Sequence, residues 1–87
     1  MDKGVLAAVR RFPQRSLEIR RLAIADSSFR SLCEDLREAE EALERWSRVP
    51  SDQAASRRAE YDLLVEELAT EIEGIVDQRA QAENGAR

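Results

Sequence analysis

The stretch FRSLCEDLREAEEALERWSRVPSD, residues 29–52, decides the fold. Phe29, Leu32, Leu36, Ala39, Leu43 and Trp46 recur at spacings of three and four, which puts them on one stripe of a helix predicted over about 27–48. Charged residues such as Glu34, Asp35, Arg37, Glu38 and Glu41 fill the flanks. The stripe stops at Val49-Pro50, because the residue before a proline is pushed out of helical angles. Ser51 or Asp52 is then placed to cap whatever follows.

Downstream, Tyr61, Val65, Leu68, Ile72 and Ile75 repeat the same register. This predicts a second long helix from about 52 to 80, closed near Asn84-Gly85. A turn this short makes two such helices antiparallel neighbours. With the turn centred near Pro50, Trp46 meets Ala54 and Ala55, Ala39 meets Tyr61, Leu36 meets Val65, and Phe29 meets Ile72. Large residues oppose small ones at two of these layers, as close packing requires. Gly74 weakens the second helix by about 1 kcal/mol relative to alanine, so it marks either a close approach or a soft spot.

Upstream, Val5, Leu6, Val9 and Phe12 are spaced like one face of a short helix that Pro13 ends. Residues 16–25 begin with Ser16, read as a cap, and carry Leu17, Ile19, Leu22 and Ile24. Asp26-Ser27-Ser28 offers three successive N-cap residues, so a new helix is predicted to start there. The expected architecture is all-α: an antiparallel helical hairpin, or two-helix coiled coil, with one or two short N-terminal helices. Residues 1–15 form a basic N-terminal segment, 16–82 the hairpin domain and 83–87 a disordered tail.

The order of residues resembles that of the small YdcH-like proteins, a bacterial family of helical hairpins with no settled function. Arg21-Leu22, then Phe29-Arg30-Ser31-Leu32, then Ala39 and Leu43, and finally Glu67-Leu68-Ala69-Thr70-Glu71-Ile72 carry the resemblance, which spans about residues 17–76. Asp62, Glu66 and Glu67 stand where that family has a lysine-rich stretch, and residues 1–15 have no counterpart in it. The resemblance implies the hairpin and no activity.

Composition agrees with a small helical protein. Of 87 residues, 37% are charged, with three Gly and two Pro, a balance that suits long helices better than sheets. Net charge is −4, but residues 1–30 hold seven basic side chains against three acidic, whereas residues 31–87 hold seven against fifteen. A basic head therefore adjoins an acidic body, and the two are expected to dock, within one chain or between copies. Arg10, Arg11, Arg15, Arg20, Arg21 and Arg30 would alternatively bind nucleic-acid phosphates, and residues 4–12 an anionic membrane surface.

Catalytic chemistry finds little support. The chain has no histidine, which removes a histidine base and a Glu-x-x-His di-iron site. Cys33 is the single cysteine, so neither an intramolecular disulfide nor a cysteine metal site forms, and its place beside the seam predicts an inert thiol. Gly4, Gly74 and Gly85 are isolated and make no phosphate loop. Glu40 with Glu44, and Glu67 with Glu71, share helix faces but are expected to be solvated. No enzyme activity, cofactor or metal is expected. Neither a signal peptide nor a transmembrane segment is recognised, since Gly4–Val9 is too short and its arginines follow it; a reducing, cytoplasmic setting is expected.

The expected function is a non-enzymatic interaction or assembly module. Leu63, Leu64 and Val76 fall outside the seam and point to a second copy of the chain or a protein partner, making a homo-oligomer. Val5, Leu6, Val9 and Phe12, with Arg10, Arg11, Arg20 and Arg21, are the candidate contacts in the head.

Overall fold

The computed structural model describes residues 2–85, which form four helices and no strand: α1 Lys3–Arg11, α2 Ser16–Ala25, α3 Ser27–Ser47 and α4 Asp52–Gly85. The fold is all-α. Its long dimension of 55 Å, against 23 and 21 Å in the other directions, is set by the 34 residues of α4.

Local chemistry accounts for most boundaries. The Asp2 carboxylate accepts from the Gly4 and Val5 amides at 2.8 and 3.2 Å, which starts α1. Phe12 leaves helical angles just before Pro13. Asp26 is extended and its carboxylate accepts from Ser28 and Phe29, so α2 and α3 are separate helices. Between α3 and α4, Ser51 Oγ accepts from the Ala54 amide at 3.1 Å. Ser16 is a correction: it is already helical, with Arg15 at the cap position and no side-chain cap. A 3₁₀ turn over Pro13–Arg15 runs straight into α2, so the chain is already wound where the cap was expected. At the other end α4 continues through Gly85, so residues expected as a tail begin inside a helix; Met1, Ala86 and Arg87 lie outside the described residues.

All four helices contribute to one core. Phe29, Cys33, Leu36 and Ala39 of α3 and Val65, Ile72 and Val76 of α4 are buried together with Val5 and Ala8 of α1 and Ile19, Leu22 and Ala23 of α2. The deepest stripe on each long helix is rotated from the expected seam. Cys33 is fully buried while Leu32 and Leu43 are half-exposed, and Ala69 and Val76 are buried deeper than Leu68 and Ile75. The cause is that α1 and α2 lie against one side of the α3–α4 pair and draw both helices' burial toward themselves. The head is therefore part of the fold. The last turns of α4 lie beside α2, where Val76, Arg79, Ala80 and Glu83 share a groove with Glu18, Arg21 and Leu22.

The seat of α1 is close enough to exclude a side chain. A Cβ on Gly4 would stand 2.7 Å from the Glu34 nitrogen and 2.8 Å from its Cα. Gly4, Ala7 and Ala8 form the buried face, so α1 lies nearly backbone to backbone on α3. Beneath it, burial pushes the Cys33 thiol up to about 11, with the Asp2 carboxylate adding to the shift. Gly74 is the opposite case, for a Cβ there meets nothing within 4 Å. It marks the soft spot.

One substitution should thus have opposite signs at two sites. Gly74→Ala is expected to stabilise by about 1 kcal/mol through helix propensity, raising the thermal midpoint by several degrees. Gly4→Ala should instead cost about 1–3 kcal/mol through overpacking against α3. It should also speed labelling of Cys33 by a thiol reagent under native conditions. Denaturant melts and labelling kinetics check both, and a stabilising Gly4→Ala would contradict the close approach.

Candidate interaction surface

The ionisable groups are arranged for structure. Arg11 donates from Nε and Nη2 to Glu40 at 3.2 and 3.0 Å and stands 3.8 Å from Glu66. Arg15 bridges Glu18 at 2.9 Å and Asp77 at 2.7 Å. These two arginines tie the basic head to acidic positions on α3 and α4 of the same chain. Arg37 joins Glu34 to Glu41 along α3. Of the carboxylate pairs considered for acid–base work, Glu40 is engaged by Arg11, Glu44 by Arg48, and Glu67 and Glu71 are exposed. Among the described residues no cluster of potential metal ligands occurs, and no buried side-chain polar atom lacks a partner.

The remaining apolar surface is uneven. With α1 and α2 on one side of the α3–α4 pair, the opposite side is open. There Leu64 is 39% exposed, and Leu32, Trp46, Leu68 and Ile75 are only half-buried. Two shallow grooves cut this side. One is lined by Phe29, Leu32, Asp35, Glu71 and Ile75, the other by Trp46, Gln53, Arg57 and Glu60.

The residues singled out from sequence are scattered by the fold. Leu63 is 61% exposed but lies about 100° around α4 from Leu64, so one flat surface does not meet both squarely. Val5 and Val76 are in the core, with Val9 and Phe12 packed against it. Leu6 is half-buried beside Arg10 in a groove with Arg37, Glu40 and Glu44. Arg20 and Arg21 are exposed on α2. Leu17 and Ile24 face outward, Ile24 at 83% exposure, while Ile19, Leu22 and Ala23 are the buried residues of α2. Ile24 overhangs an apolar depression of about 350 Å³ lined by Val5, Ala23, Arg20 and Arg30. Leu32, Trp46, Leu68 and Ile75, expected within the seam, lie at its half-exposed edge, in a stripe wider than one partner helix covers.

Comparison with known proteins gives no match to a family model, a curated protein or a solved structure. No helix among the described residues is long and apolar enough to cross a membrane.

The ion pairs make a pH prediction. Hydrogen bonds from Arg15 and Arg37 hold the Glu18 and Glu34 carboxyls below the ordinary glutamate value, against an opposing desolvation effect. A carboxyl depressed by folding stabilises the folded chain above its unfolded pKa, about 4.3, and loses that contribution as pH falls through the lower folded value. The thermal midpoint should therefore drop on acidification below about pH 4.3, less so in Arg15→Gln and Arg37→Gln variants. Melts followed by circular dichroism across that range check it.

Proposed function

We propose that this chain is a non-enzymatic protein–protein interaction module that assembles with a second copy of itself. In this reading α3 and α4 form an antiparallel hairpin, closed on one side by α1 and α2 and open on the other for the partner. Leu64 carries the reading. It is an exposed leucine in line with half-buried Leu32, Trp46, Leu68 and Ile75, on the side that no other helix covers. Contiguous apolar surface of this kind marks interaction sites, and a chain this short builds only a thin core unaided.

Two further features support the reading. Arg11 and Arg15 are bonded within the chain, which weakens the alternative of a nucleic-acid-binding head, and the acidic body would repel a polyanion. The resemblance to YdcH-like proteins, carried by Phe29-Arg30-Ser31-Leu32 and Glu67–Ile72, suits a hairpin without catalytic chemistry. A free buried thiol at Cys33 suits a reducing compartment, and we place the protein in the cytoplasm.

Light scattering at micromolar concentration is expected to give the mass of a dimer or larger. Leu64→Glu should give a monomer with undiminished helical circular dichroism, because the position is not in the core. A folded monomer for the unmodified chain across the micromolar range would overturn self-assembly.

A further inference from the structure

The open side of α4 carries a charge pattern that is complementary to itself in one orientation. Arg57, Leu64 and Glu71 are spaced seven and seven. Seven residues are nearly two turns, with a drift of about 20°, so the three fall on one stripe. Arg57 and Glu71 each stand about 10.5 Å from Leu64 along the axis, on opposite sides of it. They are about 21 Å apart and cannot pair within one chain.

The surroundings fit an exchange of these ends. Glu71 has no ion pair among the described residues. Among the described residues Arg57 pairs with Glu60, in an exposed contact at 3.1 Å, and such pairs hold a side chain weakly. Glu71 lies in the groove with Leu32, Asp35 and Ile75, which is acidic and apolar. Arg57 lies in the groove with Trp46, Gln53 and Glu60. Leu64 stands between the two.

Resting on the proposed function, we infer that the partner is a second copy docked antiparallel along α4, about a two-fold axis at Leu64. Arg57 of each chain then pairs with Glu71 of the other. Leu64 packs on its own counterpart, Tyr61 comes opposite Glu67, and Gln53 opposite Ile75. The groove around Glu71 receives the arginine end of the second copy. A parallel arrangement would set Arg57 against Arg57 and Glu71 against Glu71, so the charges select the orientation as well as the partner. Leu63, on another face of α4, takes no part.

Charge exchange tests this in the full-length chain. Arg57→Glu and Glu71→Arg, each alone, place like charges at both ends of the interface and should weaken dimerisation by about tenfold or more. Mixing the two single variants in equal amounts restores both attractive pairs in a heterodimer, and the double variant R57E/E71R restores them in a homodimer. Analytical ultracentrifugation should show both recoveries, with circular dichroism confirming that each variant remains helical. If the unmodified chain dimerises and the single variants match it, or the mixture fails to recover, the two-fold geometry is overturned while self-assembly stands. If the unmodified chain is monomeric throughout, both the geometry and the assembly reading fall.

Discussion

The constraint on which the rest depends is that α3 and α4 each carry an apolar stripe wider than one partner helix can cover. Phe29, Leu36, Val65 and Ile72 reach full burial, but residues to either side of them are apolar too. On one side the surplus is met by α1 and α2, whose Val5, Ala8, Ile19 and Leu22 close over Cys33 and Val76. On the other side no helix among the described residues supplies the same service, and Leu32, Leu64, Leu68 and Ile75 keep part of their surface in water. The asymmetry between the two sides is what turns a folding problem into a candidate contact.

Charge follows the same division. The basic head and the acidic body, distinct in sequence, meet at two arginines, Arg11 on Glu40 and Glu66 and Arg15 on Asp77. These pairs are partly solvated, so each contributes modestly. α1 is held by Gly4, which has no side chain, and by Ala7 and Ala8, whose single methyls let the two helix backbones approach and bury their neighbours.

Much of the helix pattern was legible in the sequence, for a physical reason: helix periodicity and capping are local. The stripe through Phe29, Leu36, Val65 and Ile72, the stop at Pro13, the break before Pro50 and a cap within Asp26-Ser27-Ser28 all follow from neighbours within a few residues. What was illegible depends on distant partners. Gly4 reads as a weak helix residue and only the position of Glu34 reveals it as a contact. Cys33 outranks Leu32 in burial because α1 arrives on its side. Ile24 and Ile19 look equivalent on paper, and the direction from which α2 approaches separates them. Ser16 has the right chemistry for a cap and loses the role to a turn that begins at Pro13. For the open surface, the sequence marks Leu63 and Leu64 alike and only the fold separates them, whereas the meaning of Arg57 and Glu71 depends on knowing that no described helix covers their shared face.

The docking of the last turns of α4 on α2 has a consequence of its own. From Val76 onward this helix meets α2 and, through Asp77, Arg15 of the turn before it, and α2 in turn is anchored by Ile19, Leu22 and Ala23. Cooperativity must thin out along that arm, because each further turn has fewer buried neighbours than the one before it. Amide exchange should grade smoothly from slow at Ile72 to fast beyond Ala80, a continuous slope within a single uninterrupted helix. The long rod is then one element by geometry and several by persistence, firm in its middle and progressively looser toward its far tip.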